Sequence, residues 1–190
     1  LKPKEKEGRE VVGWLLEHTD AEIALAGAAA LGAQIYDAGE EVFRPLFELL
    51  GHADWRLRLC AADALRALEL APPGVLVRLQ PESVRLAAAL TDDQDWGRAC
   101  ALEALVCLNR PFAVREAGLL LDAGEAPPMR TAALAILSRN SVPLLKKYLR
   151  RLIRTAEPAP DILRYLQVAG LNEGNARAYA RAALEAARDT

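Results

Sequence analysis

The sequence has 190 residues, of which 52% are apolar and 26% charged, with a net charge of −2, and this composition excludes a disordered chain. With 37 alanines, 33 leucines and only 5% aromatic residues, it favours close-packed helices over strands. No segment has the length and apolarity of a membrane span or a secretory signal, and three cysteines do not make a disulfide framework. We therefore expect an all-α cytoplasmic protein with reduced thiols and no membrane insertion, and, because the sequence starts at Leu1, a module of a longer protein.

Helical periodicity runs along the whole chain, because apolar residues recur every three or four positions. The Pro-Pro-Gly stretch within 71–80 interrupts the pattern and predicts an inserted connection. The pattern predicts helices near residues 5–17, 20–33, 38–50, 54–69, 81–90, 93–108, 112–121, 127–138, 142–154, 160–169 and 173–188. We interpret the end of the chain, 171–190, as a capping helix.

Four stretches of sequence align with one another and indicate an internal repeat. They begin at Ile23, Leu57, Gly97 and Met129, and the positions equivalent to Arg58 follow at offsets of 34, 40 and 32 residues. An apolar segment and a short polar turn precede each stretch, as expected for a repeat of two helices. We predict one domain with helical pairs near 5–33, 38–70, 81–109, 112–139 and 142–170.

The aligned stretches have the spacing of a helical stripe that faces a core. In the second copy the stripe consists of Leu57, Ala61, Leu65 and Leu68. Asp54 and Asp93 stand before second helices, where a carboxylate can accept unpaired amide protons, and Thr19 with Glu22 has the spacing of a capping box. Trp14 lies within an apolar helix, and we predict that it belongs to the core.

Each aligned stretch also carries a defined order of residue types. An apolar residue is followed by Arg, two variable positions, two small residues and a Leu seven positions after the Arg. Over about residues 11–153 this order resembles the HEAT repeats of the bacterial, alanine-rich kind. Such repeats often have an Asp six positions before the Arg, and the two residues form a ladder along the array. Arg58, Arg98 and Arg130 match the Arg position, whereas only Asp92 matches the Asp and Ala24 replaces the first Arg, so we expect no complete ladder.

The resemblance implies an armadillo-type α-solenoid, a right-handed superhelix of about five helical pairs. Its second helices would line a concave surface that grips another macromolecule, and a stack of repeats leaves such a face uncommitted. The second-helix positions outside the buried stripe are Arg56, Leu59, Asp63, Arg66, Ala99 and Glu103. Their mixed charges suit a protein surface better than a polyanion.

Two tryptophans, Trp55 and Trp96, begin successive second helices at almost equivalent positions. They are either interface anchors or rings that pack over the turn within each repeat. We predict a non-catalytic scaffold or adaptor whose partner, a protein of unknown identity, binds on the concave surface. The predicted partner-binding residues are Trp55, Arg56, Leu59, Asp63, Arg66, Trp96 and Glu103.

A basic segment late in the chain supports an alternative function. No acidic residue occurs from 126 to 156, while seven basic residues do, and the rest of the chain carries −9. The segment is either a solvated helix face or a surface for nucleic acid or another polyanion. Counted from 130 to 154, the basic residues are Arg130, Arg139, Lys146, Lys147, Arg150, Arg151 and Arg154.

Enzymatic chemistry finds little support in the sequence, and a HEAT-like DNA glycosylase or other enzyme is our third hypothesis. His18 and His52 occupy equivalent turns without a third imidazole to complete a metal site. Cys60, Cys100 and Cys107 are predicted to be small core residues. We expect no catalytic residue, no cofactor and no metal.

Overall fold

The computed structural model describes residues 11, 14, 15, 18, 21–33, 40–124, 127–141, 143–145, 147 and 148. All regular secondary structure within these ranges is helical, which confirms the all-α class. The predicted helices near 160–169 and 173–188, the capping segment 171–190 and Thr19 lie outside the described residues. The chain separates into two compact units, unit 1 (Leu1–Arg110) and unit 2 (Pro111–Thr190).

Unit 1 contains six helices with defined bounds and two short 3₁₀ turns. The helices are α1 (Ala21–Ala33), α2 (Glu40–Leu49), α3 (Trp55–Leu65), α4 (Pro73–Leu79), α5 (Ser83–Ala89) and α6 (Asp95–Leu108). The 3₁₀ turns are Arg66–Leu70 and Gln80–Glu82. Most bounds lie within three residues of the predicted ones, but α3 tightens into a 3₁₀ turn where we expected the helix to continue.

The segment 71–80 is more ordered than its prolines suggested, because helix α4 occupies most of it. Ala71 is extended, as a residue before proline prefers. Pro73 then stands at the first helical position, where no backbone N–H is needed and its fixed φ favours a helix. The two prolines therefore end one helix and begin the next.

The core of unit 1 is built around α3 and α6. Helix α3 packs against α1, α2 and α6, and α6 packs in addition against α4, α5 and the turn Arg66–Leu70. The predicted stripe is confirmed, because Leu57, Ala61, Leu65 and Leu68 are each at most 1% exposed. Buried alanines such as Ala61 and Ala104 allow close approach of the helices, and each buried leucine contributes about 1.5–3 kcal/mol.

Unit 2 contains α7 (Arg110–Ala123), which begins at the last residue of unit 1, and α8 (Pro127–Asn140). Its residues 143–145, 147 and 148 are also helical. Helix α7 ends at Ala123, and the following Gly124 has a φ of +75°, a conformation that favours glycine. The Tyr148 hydroxyl donates to Asp122 Oδ2 at 3.0 Å and lies so close to Gly118 that a Cβ there would be 3.1 Å from it.

Candidate functional site

A groove of about 350 Å³ lies on the face of unit 1 formed by α1, α3 and α6. It brings together five of the seven residues predicted to bind a partner. Its lining consists of Leu25, Trp55, Arg56, Leu59, Cys60, Asp63 and Trp96. The remaining two are Arg66 and Glu103. Arg66 pairs with Asp63 of the lining and also with Glu103. The predicted set is therefore one surface and not scattered positions.

The two tryptophans stand at the first turns of their helices. Trp55 is the first residue of α3, and Trp96 is the second residue of α6. They are 45% and 57% exposed, so about half of each side chain is open to solvent. Gly97 follows Trp96 and faces Leu59, since a Cβ at Gly97 would lie 3.9 Å from the Leu59 Cα. Helices α3 and α6 are thus close enough for both rings to line one groove.

Arg56 connects the groove to α1. Its Nη2 lies 2.8 Å from Asp54 Oδ2, and its Nη1 donates to Glu22 Oε1. Asp54 is the N-cap of α3, because its Oδ1 also accepts from the Arg56 backbone N–H at 2.9 Å. The predicted cap at Asp54 is confirmed, and these hydrogen bonds from Arg56 lower the pKa of Asp54 to about 2.

Arg66 makes a second group of ion pairs at the other edge of the groove. Its Nε lies 2.6 Å from Glu103 Oε2 on α6, and its Nη1 lies 3.1 Å from Asp63 Oδ1 on α3. Arg56 and Arg66 are thus each shared by two carboxylates, one near in sequence and one on a neighbouring helix.

The cysteines differ in their surroundings. Cys100 is buried, as predicted, and burial together with Asp63, whose Oδ1 is 3.8 Å from Sγ, raises the pKa of its thiol to about 12. Cys60 and Cys107 are only half-buried, so their assignment to the core was wrong. Cys60 instead lines the groove. Burial also raises the thiol pKa of both, and all three cysteines are free.

Arg58 makes a polar network with the residues that precede α3 and α6. Its Nε lies 2.5 Å from Asp92 Oδ2 and its Nη2 lies 2.8 Å from Asp93 Oδ1. Nη1 donates to the backbone oxygens of His52 and Ala53 at 3.0 and 2.9 Å, which closes the turn before α3. The hydrogen bonds from Arg58 lower the pKa of Asp92 to about 2. Arg58 thus connects α3 to Asp92, which stands 34 residues later and precedes α6.

The predicted cap at Asp93 is wrong. Helix α6 begins at Asp95 without a side-chain cap from its preceding residue, and Asp92 Oδ1 accepts from the Gln94 backbone N–H at 2.9 Å. Asp93 pairs with Arg58 instead. These aspartates border a second cavity of about 440 Å³, whose charged lining residues are Arg58, Arg85, Asp92 and Asp93. Arg58 pairs with both aspartates, and Arg85 pairs with Glu82.

Two further assignments need correction. Trp14 is 61% exposed and lies edge-on to His18 with a ring separation of 5.3 Å, because an evenly apolar run does not reveal which helical face is covered. Ala99 is 7% exposed and does not belong to the open face, since α3 packs against α6. His52 is a turn residue, as predicted, and its Nδ1 accepts from the Asp54 backbone N–H at 3.0 Å.

The basic segment belongs to unit 2. Arg139 and Lys147 are exposed there, and the Lys147 Nζ lies 5.1 Å from the centre of the Tyr148 ring. The side chains of Lys146, Arg150, Arg151 and Arg154 lie outside the described residues.

Three residues of the groove surface were missed by sequence reasoning: Leu25, Cys60 and Glu22. The repeat alignment contained a signal for two of them. Leu25 and Glu22 precede the equivalent residues Leu59 and Arg56 by 34 positions. In the structure Glu22 pairs with Arg56, and Leu25 and Leu59 line the same groove. Cys60 had been assigned to the core because it is small and apolar.

These features define a class of protein: a helical protein with an open, partly apolar groove in its first unit. No protein-family model matches the sequence, and no curated protein matches it either. Among the described residues, no group of three or more His, Cys, Asp or Glu side chains is arranged to hold a metal ion. No helix in that part of the chain combines the length and apolarity needed to cross a membrane.

Proposed function

We propose that unit 1 is a docking module that binds a partner protein in the groove between α1, α3 and α6. The observation that carries this proposal is the exposure of Trp55 and Trp96 on one groove with Leu59. Burial of the apolar surface of an exposed aromatic side chain against a partner is favourable, because that surface is removed from water. Tryptophan is also enriched among the residues that dominate interface energies.

We further propose that the chain is a HEAT-like solenoid, with the groove on its concave side. Polar contacts between helices of unit 1 support this, because they join residues about one repeat apart. Arg56 pairs with Glu22 across 34 residues, Arg58 with Asp92 across 34, and Arg66 with Glu103 across 37. A stack of similar repeats brings equivalent positions of neighbours together in this way.

The proposed scaffold has no chemistry of its own. The chemistry of the cysteines supports this, since a nucleophilic cysteine needs a lowered pKa. Burial raises the thiol pKa of Cys60, Cys100 and Cys107 instead, so all three are protonated at neutral pH.

The test is capture of partners from the native cell extract, followed by footprinting. Trp55→Ala with Trp96→Ala is compared with Trp14→Ala, an equally drastic change at an exposed tryptophan that does not line the groove. We expect the double variant to lose the partner and the Trp14 variant to keep it. In the wild-type complex, alkylation should slow at Cys60 but not at Cys107, which is also half-buried but lies outside the groove lining. Capture that survives the double variant, or equal protection of both cysteines, would contradict the proposal.

A second candidate function, polyanion binding, is favoured by the charge of unit 2. Residues 111–190 contain 12 Lys and Arg against 8 Asp and Glu. Binding of a labelled duplex or single-stranded oligonucleotide should then weaken steeply with salt. Arg139→Ala with Lys147→Ala should weaken it further, whereas Arg115→Ala, at an exposed arginine outside the basic segment, should not. Salt-independent binding or no binding argues against this function.

A further inference from the structure

Carboxylates border the groove on several sides. Arg56 is shared by Asp54 and Glu22, and Arg66 is shared by Asp63 and Glu103. Among the described residues, four carboxylates thus surround these two guanidinium groups. Unit 1 as a whole carries a negative charge, with 12 Lys and Arg against 18 Asp and Glu. An approaching cation is thus attracted both by the groove and by the unit that carries it.

The groove also offers aromatic surface beside a carboxylate. The rings of Trp55 and Trp96 are about half exposed, and the Asp63 side chain in the same lining is 57% exposed. Tryptophan is the aromatic side chain that attracts cations most strongly, through the negative face of its indole ring. An aromatic face and a carboxylate together match one kind of ligand, a cation with an apolar stem.

We infer that the partner segment that occupies the groove carries an arginine, whose guanidinium stacks on the Trp96 ring and pairs with Asp63. This inference rests on the proposed function, because it names the chemistry of the partner at the same groove. The aliphatic part of the arginine covers Leu59, and neighbouring apolar residues of the segment cover Leu25. The incoming guanidinium replaces Arg66 on Asp63, and Arg66 keeps Glu103, so no arginine is left without a carboxylate.

Arginine fits this surface better than lysine does. Its guanidinium is planar, stacks on aromatic rings and is less strongly hydrated than an ammonium group. It also presents several N–H donors in one plane, which suits a carboxylate that already accepts a guanidinium in this position. An acidic segment would instead meet the four carboxylates that border the groove, those of Glu22, Asp54, Asp63 and Glu103.

The inference is tested with four pools of synthetic decapeptides that differ only at a fixed central residue, which is Arg, Lys, Gln or Glu. The flanking positions are randomised among Leu, Ile, Val, Ala and Ser, and binding to the full chain is measured by fluorescence anisotropy. We expect the Arg pool to bind about tenfold more tightly than the Gln pool, and the Glu pool to bind most weakly. Lysine should fall between Arg and Gln.

Variants of the chain then locate the effect. Asp63→Asn keeps the shape of the side chain and removes its charge, and it should reduce the preference for Arg over Gln about threefold or more. Trp96→Ala should reduce affinity for the Arg pool more than for the Gln pool, whereas Trp14→Ala should change neither. Far-ultraviolet circular dichroism and the melting temperature show whether each variant is folded.

The outcomes separate this inference from the proposed function. If the Gln or Glu pool binds as tightly as the Arg pool and binding still requires Trp55 and Trp96, the inference is wrong and the docking groove stands. If Lys exceeds Arg, the choice of arginine is wrong. If no pool binds in a manner that depends on the two tryptophans, both the inference and the proposed groove are contradicted.

Discussion

The two units of this chain differ in charge and in the contacts that join their helices. Unit 1 has six more acidic than basic residues and unit 2 has four more basic than acidic ones. In unit 1, arginines connect helices distant in sequence, as in the pairs Arg58–Asp92 and Arg78–Glu40. In the described part of unit 2, the Tyr148 hydroxyl donates to Asp122 and lies close to Gly118.

The net charge of −2 is therefore the sum of a negatively charged unit 1 and a positively charged unit 2. Most of the arginine pairs of unit 1 lie at the surface, where an ion pair adds little stability. Their main effect at the groove is to fix the positions of charges that a partner meets. The pair Arg58–Asp92 is the exception, because its side chains are only 19% and 9% exposed. Changes to single side chains test how the two units differ.

The apolar core should matter most in either unit. Leu105→Ala removes a side chain that is 0% exposed in α6, and we expect it to lower the free energy of unfolding by about 2–5 kcal/mol. Leu134→Ala, at 0% exposure in α8 of unit 2, should cost a similar amount. Denaturant titration measures both, with Leu70→Ala as the control because Leu70 is 61% exposed. Costs no larger than that of the control would show that the assigned core is incorrect.

The pair Arg58–Asp92 should have the next largest effect. Arg58→Met leaves the little-exposed Asp92 carboxylate without its guanidinium, and we expect a loss of about 1–3 kcal/mol. Arg44→Met is the control, because Arg44 is exposed and lies 3.7 Å from Glu40. If the two variants melted at the same temperature, Arg58 would be another surface arginine.

The same pair predicts how stability depends on pH. Arg58 lowers the pKa of Asp92 from 3.8 to about 2 in the folded state, so the unfolded state takes up this proton first as pH falls. The stabilisation is complete above about pH 4 and is lost as pH falls to about 2. Asp92→Asn should therefore be less stable than wild type at pH 6, and the difference should shrink towards pH 2. A difference that stayed constant over this range would contradict the assignment.

The end of α7 should show a smaller effect. Gly124 has φ +75° with open space around the position of a Cβ, so Gly124→Ala introduces backbone strain and no steric clash. We expect a loss of about 1 kcal/mol. Gly51→Ala is the matched control, since a Cβ there would come no closer than 3.7 Å to another atom and no positive φ is required. Equal melting temperatures of the two variants would show that the strain is relieved elsewhere.

Thiol reactivity gives the mildest test, because it leaves the sequence unchanged. Cys100 is 3% exposed with a pKa raised to about 12, whereas Cys60 and Cys107 are half-buried. Alkylation at pH 8, followed by mass spectrometry of the peptides, should therefore modify Cys60 and Cys107 well before Cys100. Modification of Cys100 at the same rate would show that α6 opens more readily than its packing against α3 implies.

Sequence reasoning predicted most of the described helices, the buried stripe of α3 and most of the groove. It succeeded there because helical periodicity and repeated spacing are local properties, and Leu57 and Leu65 have the same relation wherever the helix lies. It failed at Trp14, Ala99 and Cys60, since an apolar residue can face either a neighbouring helix or solvent. The residue type alone does not distinguish the two.

The residue pattern was sufficient to predict the all-α class, the buried stripe of α3 and the mixed charge of the face that carries Arg56 and Asp63. Only the tertiary structure decided that Trp55 and Trp96 share a groove, that Arg56 and Arg66 are each shared by two carboxylates, and that Arg58 reaches Asp92. The reason is physical. Periodicity arises within one helix, whereas an exposed ring or an ion pair depends on the distance between helices, which is set by how their side chains pack.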